Sequence, residues 1–426
     1  MTLSARIKGK LLPHVSSFVS FNVIQATQLF LPMLVLPWLA RSLGPEAYGL
    51  CLYLGVITGI VGIVMDWGFP LGATRDVAVN RGREKELCDI FSGVLSAKVL
   101  LACCCALSCL FLSPLVPHAL DYPGAYALAV LAGIARGVSP IWFFQGLGQG
   151  IQRVACWDAA SSVLALALTI ACVREPSDWP LYLLLLGLAK GGAYLALTLQ
   201  QLRLHSPASF NPRRGWLTLV RHKTFFVGNL ATLIYLRGTQ LILGFFLPPA
   251  QMGMLVTADK IVRATVSLNY PLLQTMFPEI CIMRKADGNR ATRLLRLFFF
   301  GAAALMILGA GLLWLLAPWL IDVVLGAAYS EIIPVLRIMC FFIPLQTCND
   351  VLAGQVLTPL GGERFQTLVK AAVALVSLPA AAALGAWHGI NGGACLPILL
   401  QGGMLLGLVL STARICPELF VPGGEK

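Results

Sequence analysis

Long apolar runs separated by short polar segments dominate this chain of 426 residues. Twelve runs are long enough to cross a bilayer, since a helix of about 20 residues spans its hydrocarbon core. Irregular backbone cannot be satisfied in lipid, so each run is predicted to be a helix. The predicted spans are 15–40, 47–68, 88–112, 122–144, 153–173, 180–202, 224–248, 252–280, 297–320, 331–357, 366–386 and 392–413.

Lysine and arginine are distributed unevenly over the two sides of these spans. With the N-terminus placed in the cytoplasm, 21 Lys and Arg residues fall on that side, and Arg41 and Arg174 fall on the other. Cytoplasmic loops of membrane proteins carry such an excess, so both termini are predicted to be cytoplasmic. The first run is also too long for a signal-peptide core of about 7–15 residues, and we expect it to be a retained span.

The chain divides into two halves of six predicted spans at a polar stretch. "GPEAYG", ending at Gly49, and "LPPAQMG", ending at Gly253, match in order and place Pro45 opposite Pro249. Because six is even, both halves enter from the same side, which predicts parallel repeats related by a pseudo-twofold axis along the membrane normal. We predict an N-terminal lobe at 1–204, a cytoplasmic linker at 205–222 and a C-terminal lobe at 223–426.

Composition supports a polytopic membrane protein. Hydrophobic residues make up 58% of the chain and charged residues 12%, with a mean hydropathy of +0.81. Soluble domains carry about 25% charged residues. The net charge of +12 does not indicate nucleic acid as a partner, because the basic residues cluster in short loops between apolar spans.

Charged residues within the spans are candidates for function, because charge at membrane depth is costly unless it is paired or faces water. Eight are basic and five acidic. They are Lys98, Arg136, Lys190, Arg237, Lys260, Arg263, Arg337, Lys370, Asp66, Asp158, Asp259, Glu279 and Asp350.

The stretch "TADKIVRA", residues 257–264, concentrates three of these charges. Asp259 and Arg263 are four residues apart and share a helix face, so we predict that they pair. Lys260 lies about 100° away around the helix. The three charges sum to +1, and Arg237 lies mid-span in the preceding helix. A structural ion pair is one interpretation, and a cationic cavity of Arg237, Lys260 and Arg263 that binds an anion is the other.

A second candidate region is "MDWGFPLGATRDVAVNRGREKE", residues 65–86. Asp66 lies at the predicted cytoplasmic end of its span, and Gly68, Pro70 and Gly72 interrupt the helix there. Arg75 follows, and basic residues at this level attract anionic head groups. We predict that Arg75 contacts an anionic ligand at the cytoplasmic mouth.

Polar and aromatic residues at span positions are candidates for sugar contact. Trp142 and Gln145 lie in "SPIWFFQGLGQG", residues 139–150, where an interfacial aromatic belt is the alternative. Asn22 and Asn229 occupy the first helix of each half. No DxD, HExxH or P-loop accompanies them, and the histidines have no metal-ligand spacing. We therefore expect no enzymatic activity, metal or cofactor.

Four segments carry a resemblance to a known family. They are "LGPEAYG" (43–49), "DWGFPLGATRDVA" (66–78), "PIWFFQG" (140–146) and "ADKIVRATVSLNYPLLQTMFPEI" (258–280). Together they resemble the Wzx-type O-antigen flippases, which are polysaccharide-biosynthesis membrane proteins of the multidrug/oligosaccharidyl-lipid/polysaccharide exporter superfamily. The resemblance runs through both halves in order.

This resemblance implies a V-shaped, alternating-access transporter of two six-helix bundles in the bacterial inner membrane. Its implied substrate is an oligosaccharide on undecaprenyl diphosphate, moved from the cytoplasmic to the periplasmic leaflet. The diphosphate is expected at Arg237, Lys260, Arg263 and Arg75. With no nucleotide loop in the chain, coupling to a H⁺ or Na⁺ gradient is the hypothesis, with Asp66 or Asp259 as the protonatable site. Other polysaccharide-assembly membrane proteins are expected as further partners.

Two alternatives are weighed against this interpretation. A multidrug exporter of the same superfamily would favour acidic groups around its organic cations, whereas basic residues outnumber acidic ones in these spans. A membrane polymerase or ligase would need a large periplasmic loop for its chemistry. The predicted external loops are short, which argues against such an enzyme.

Overall fold

A computed structural model describes the backbone of residues 3–204, 210–286 and 288–415. It describes the side chains of residues 33–202, 210–277, 279–280, 282–284 and 290–415. Within these ranges the chain is helical almost throughout and contains no strand. The α-helices are α1 (Leu3–Asp66), α2 (Phe69–Val79), α3 (Glu84–Leu112), α4 (Pro123–Gly137), α5 (Ile141–Leu147), α6 (Ile151–Cys172), α7 (Trp179–Leu204), α8 (Pro212–Leu233), α9 (Thr239–Leu243), α10 (Pro249–Ser267), α11 (Tyr270–Ala286), α12 (Gly288–Val324), α13 (Ile332–Met339), α14 (Phe342–Asp350) and α15 (Glu363–Ile415).

Nine helical stretches in the described part are long and apolar enough to cross a membrane. Each of the twelve predicted spans overlaps one or more of the helices above. The numbers differ because α1 and α15 each contain two predicted spans, and because 252–280 is not among the nine stretches. The all-helical, multi-pass fold is as predicted, and the count of twelve stays a prediction.

Left-handed glycines separate the paired spans within α1 and α15. Gly44 has φ 71° and ψ 170°, and Gly389 has φ 54° and ψ −132°, so each interrupts a helix with a kink. Positive φ is costly for residues with a Cβ and routine for glycine. Pro45 directly follows the first kink and has no N–H to donate to the preceding turn. The two spans of each pair are therefore joined by a helix kink and not by an irregular loop.

Two spans that the sequence predicts as continuous are broken in the structure. Residues 122–144 divide between α4 and α5, and residues 252–280 divide between α10 and α11. Pro140 and Pro271 lie at these breaks. Proline is tolerated in the first turn of a helix and disrupts its interior, which explains why a new helix begins at each place.

The chain forms two compact units, Met1–Leu233 and Ile234–Lys426. In the first, α1 packs against α4 and α6, α4 packs against α7, and α3 packs against α8. In the second, α15 packs against α9, α13 and α14, and α10 packs against α13. The division falls after α8, whereas the predicted C-terminal lobe begins at 223. The difference arises because α8 lies along α3.

Each unit has its own packed interior and an apolar outer surface. Tyr48 and Phe143 are fully buried in the first unit, and Tyr329 and Phe342 are fully buried in the second. Large apolar side chains such as Leu375, 80% exposed, cover the outside of the helices. Such exposure is expected of surfaces that face lipid, where apolar side chains need no shelter from water.

Candidate functional site

A chain of polar contacts links α9 and α10 in the second unit. Arg263 Nε donates to Asp259 Oδ1 at 2.7 Å, as the four-residue spacing predicts. Gln240 Nε2 donates to the other oxygen, Asp259 Oδ2, at 3.1 Å. Arg237 Nη1 donates to Gln240 Oε1 at 3.1 Å. We call Arg237, Gln240, Asp259 and Arg263 the Asp259 network.

Local backbone geometry positions Arg237 within this network. Residues Ile234–Gly238 form a π-helical segment between α8 and α9. Such segments insert an extra residue into a helix and are frequent at functional sites. Gln240 lies three residues beyond Arg237, so the two side chains share a helix face. Gln240 therefore bridges the guanidinium of Arg237 and the carboxylate of Asp259, which lies on a different helix.

Arg263 has further contacts besides Asp259. Its guanidinium carbon lies 5.0 Å from the ring centroid of Phe342, which is cation–π geometry. Tyr235, Tyr270 and Asp350 also lie within electrostatic range of Arg263. Its side chain is 32% exposed, while that of Asp259 is 8% exposed. Part of the Arg263 side chain is thus exposed, whereas the carboxylate that it pairs with is buried.

A cavity opens beside the Asp259 network. The space among its lining atoms is about 440 Å³ when the open surroundings are counted, and the centre of a water-sized molecule fits in only about 30 Å³ of it. One acidic and one basic residue line it, together with two glutamines and several apolar side chains. The lining residues are Tyr235, Leu236, Thr239, Gln240, Leu243, Leu255, Asp259, Arg263, Met339, Phe342, Gly393, Leu396, Pro397, Leu400 and Gln401.

The structure brings together Arg237 and Arg263 among the predicted anion ligands. Lys260 is half-buried on α10 and is not one of the described residues that line the cavity. The cavity lining itself holds one carboxylate and one guanidinium, so its own charges balance. The role of these residues in anion binding stays a prediction.

Gln240 and Gln401, which were not predicted from the sequence, also belong to this region, together with the predicted span charges Asp350 and Lys370. Gln240 is 8% exposed, and a buried amide in an apolar span was the available signal. Asp350 and Lys370 lie within electrostatic range of each other, and Asp350 also lies within range of Arg263. Gln401 lines the cavity and accepts a hydrogen bond from Asn349 Nδ2 at 2.6 Å.

In the first unit, Asp66 ends α1 within electrostatic range of Lys98 and Arg136. Lys98 is 4% exposed, and its Nζ donates to the carbonyl oxygens of Gly137 at 2.5 Å and Ser139 at 2.9 Å. Asp66 is half-buried. The coupling role of Asp66 stays a prediction.

A buried ion pair joins α6 and α7. Lys190 Nζ lies 2.8 Å from Asp158 Oδ1 and 3.1 Å from the carbonyl oxygen of Asp158. The hydroxyl of Tyr194 donates to the same carboxylate oxygen. The Asp158 side chain is 0% exposed, and its Oδ2 accepts no hydrogen bond from the described residues. The sequence offers both charges, and only the packing of α6 on α7 pairs them.

Arg75 takes part in a cluster where α2 meets α8. Arg75 Nη2 lies 3.3 Å from Asp76 Oδ1, and Arg221 Nη2 lies 3.0 Å from Asp76 Oδ2. His222 Nε2 lies 3.7 Å from Asp76 Oδ2. Trp67, in the same region, donates from Nε1 to the carbonyl oxygen of Leu219 at 3.0 Å. We call Arg75, Asp76, Arg221 and His222 the Asp76 cluster.

The predicted sugar-contact residues are dispersed in the first unit. Trp142 is 5% exposed and stacks on Phe91 at a centroid distance of 6.0 Å. Its ring is therefore enclosed by protein in this structure, not presented on a surface. Gln145 and Asn229 are half-buried, on α5 and α8. The Asn22 side chain lies outside the described residues. Sugar contact by these residues stays a prediction.

Among the described residues, no group of three or more His, Cys, Asp or Glu side chains is arranged to hold a metal ion. Within each unit, the charged groups of the Asp259 network, the Asp158–Lys190 pair and the Asp76 cluster are joined by hydrogen bonds and ion pairs. The Asp259 network and the Asp76 cluster can therefore bind a charged group within an apolar helical framework.

Comparison with known proteins gives the family. The sequence profile of a family described as polysaccharide biosynthesis protein matches residues 15–283, which is more than half of the chain. The chain belongs to the polysaccharide biosynthesis protein family. The resemblance carried by the four sequence segments is thereby confirmed. The prediction that the chain is a membrane transporter and not an enzyme is confirmed as well.

A curated relative and two solved structures extend this finding. The "Putative O-antigen transporter" of Escherichia coli (strain K12) is 24% identical over 379 residues, which cover 84% of this chain and 86% of the relative. An inward-facing multidrug resistance MATE family transporter of the MOP superfamily superposes with a TM-score of 0.69 at 12% identity, covering 96% of this chain and all of that one.

The second structure is the lipid II flippase MurJ in an inward closed conformation. It superposes with a TM-score of 0.61 at 14% identity, covering 94% of this family member and 87% of the MurJ chain. At these identities the likeness is one of fold. This polysaccharide biosynthesis protein therefore has the all-α polytopic fold shared by the MATE and MurJ structures.

Proposed function

We propose that this chain is a flippase for an oligosaccharide linked to undecaprenyl diphosphate, an O-antigen or related polysaccharide repeat unit. It moves this lipid from the cytoplasmic to the periplasmic leaflet by alternating access. The observation that carries the proposal is the match to an O-antigen transporter over most of both chains. The fold shared with a lipid flippase is compatible with it.

The charges of the second unit support an anionic head group as ligand. Arg263 donates to Asp259 directly, and Arg237 donates to Gln240, which in turn donates to the other oxygen of the same carboxylate. Guanidinium groups bind phosphate oxygens through charge-assisted hydrogen bonds. In this proposal Arg263 contacts the diphosphate from the cavity, and Lys260 adds positive potential from the adjacent face of α10. The polyprenyl chain remains in lipid.

A multidrug exporter of the same fold is the alternative function. The MATE likeness is one of fold at 12% identity and does not indicate organic cations as substrates. The excess of basic over acidic residues within the predicted spans disfavours such substrates. An exporter would confer drug resistance when overproduced and would leave surface polysaccharide unchanged when deleted.

The proposal is tested in a strain that depends on this chain for its surface polysaccharide. Deletion is expected to remove the polysaccharide and to leave lipid-linked repeat units in the inner membrane, facing the cytoplasm. Electrophoresis of surface polysaccharide and extraction of the lipid intermediates measure both effects. Normal polysaccharide in the deletion strain, with no lipid intermediate retained, would refute the flippase assignment.

Orientation and coupling complete the proposal. We place both termini in the cytoplasm of an inner-membrane protein, so cysteines introduced at Ser4 and at Gly424 should resist an impermeant thiol reagent in intact cells. We also propose coupling to a H⁺ or Na⁺ gradient through Asp66 or Asp259. If so, proteoliposome transport should respond to an imposed ion gradient. Labelling of both termini in intact cells would contradict the proposed orientation. Transport that responds to neither gradient would contradict the proposed coupling.

A further inference from the structure

The Asp76 cluster combines a buried carboxylate with two exposed guanidinium groups. The Asp76 side chain is 7% exposed, whereas those of Arg75 and Arg221 are 62% and 63% exposed. Each arginine binds a different oxygen of that carboxylate, so α2 and α8 hold the two guanidiniums side by side. What faces outward is therefore a pair of cations with the anion beneath them.

One carboxylate cannot neutralise this pair. Even with His222 uncharged, two arginines and one aspartate leave an excess of one positive charge. Each guanidinium has five N–H donors and uses only part of them on Asp76. Arg75 is also held over the ring of Phe225, at 5.5 Å from its centroid. Because both side chains are already ordered, an incoming anion loses less affinity to side-chain entropy.

Apolar side chains flank the pair on both helices. Leu71 and Val79 lie one turn before and one turn after Arg75 on α2, and they are 61% and 75% exposed. Leu217 lies one turn before Arg221 on α8 and is 59% exposed. A small soluble anion gains no affinity from these apolar side chains. A phosphate carried by a lipid does gain affinity, because its hydrocarbon chain lies against apolar surface.

We propose that Arg75 and Arg221 form a docking site for the diphosphate of a polyisoprenyl-linked substrate. A diphosphate carries two adjacent charged groups, one for each of the guanidiniums held at the two oxygens of Asp76, whereas a phosphodiester carries one. Leu71, Val79 and Leu217 contact the isoprenoid chain. The inference rests on the proposed flippase function. It adds Arg221, which the sequence did not single out, as the partner of Arg75.

The test uses the full chain in nanodiscs of phosphatidylcholine, titrated with undecaprenyl diphosphate and followed by native mass spectrometry. Arg75→Gln and Arg221→Gln should each weaken binding about tenfold, as expected for loss of a charge-assisted contact. Arg214→Gln is the matched control. Arg214 is on the same helix as Arg221, is 46% exposed and pairs with Asp89 at 2.8 Å, so its substitution removes one positive charge outside the Asp76 cluster. Binding to Arg214→Gln should equal binding to the intact chain.

The remaining arms separate the sources of the phosphate and guard against misfolding. Phosphatidylglycerol in excess should not displace undecaprenyl diphosphate, and equal competition would make this a general anionic-lipid site. The double variant Arg75→Lys, Arg221→Lys keeps the charge and should bind more weakly than the intact chain but better than the double glutamine variant. If the folded glutamine variants bind as the intact chain does and still restore polysaccharide, the docking site is wrong and the flippase function stands.

Discussion

Replacement of Arg263 by glutamine is expected to abolish surface polysaccharide in the complementation strain. The substitution removes a guanidinium that lines the cavity and leaves the buried Asp259 with Gln240 as its donor among the described residues. A lost hydrogen bond to a charged group amounts to about 1.5–3 kcal/mol, or at least a tenfold loss of affinity for an anion. Polysaccharide bound to the cell surface, measured against membrane-inserted protein, reports the effect.

Arg337 provides the matched control for Arg263. It is an arginine within a predicted span of the same unit, and its guanidinium carbon lies 4.4 Å from the ring centroid of Trp314. It does not line the cavity beside the Asp259 network. Arg337→Gln should therefore preserve polysaccharide.

A second variant distinguishes anion binding from charge balance. In the double variant Asp259→Asn, Arg263→Gln, no buried carboxylate loses its partner. If Arg263 binds the diphosphate, the double variant binds undecaprenyl diphosphate as weakly as Arg263→Gln does, although its stability is restored. Binding is measured because transport would also respond to a coupling role of Asp259. Full activity in that double variant would show that Arg263 serves only to pair Asp259, and the ligand role would have to be abandoned.

Substitution of Lys190 by methionine is expected to cause the largest loss of stability in the first unit. Asp158 is fully buried, and Lys190 supplies the charge that balances it at 2.8 Å. Removing one partner of a buried ion pair costs about 3–5 kcal/mol, because the other charge remains desolvated. The midpoint of thermal unfolding in detergent, followed by fluorescence-detected size exclusion, should fall by several degrees.

Neutralising both partners should recover most of this loss. In Asp158→Asn, Lys190→Met the uncompensated charge is gone, and replacing a buried ion pair by neutral groups is often close to neutral for stability. Arg153→Met is the control, because Arg153 is exposed on the same helix as Asp158. An unfolding midpoint of Lys190→Met equal to that of the intact chain, or a double variant no more stable than the single one, would contradict this account.

Within a helix, sequence spacing predicted contacts well. Asp259 and Arg263 pair as their four-residue spacing requires, because a helix brings such residues to one face. The same reasoning separated Lys260 from that face, and Lys260 does not line the cavity. Sequence spacing did not indicate which group donates a hydrogen bond to the other oxygen of Asp259. That donor is Gln240, on another helix.

Contacts between helices were beyond the sequence for a physical reason. Apolar periodicity identifies a buried face and does not specify which helix covers it. Asp158 and Lys190 were both recognised as charges within spans, yet their pairing depends on how α6 packs on α7. For Trp142 the sequence left sugar contact and an interfacial belt open, and the ring of Phe91 that stacks on it comes from a different helix, α3.

The sequence by itself determined the class of protein. Apolar runs that must satisfy their own hydrogen bonds in lipid require helices, and the distribution of Lys and Arg predicts their orientation. Only the tertiary structure decided how the charges combine. Asp76 meets Arg221 on a helix more than a hundred residues away, and Arg237 reaches Asp259 through Gln240. Burial makes an unbalanced charge costly, so packing, which the sequence pattern leaves open, assigns each charge its partner.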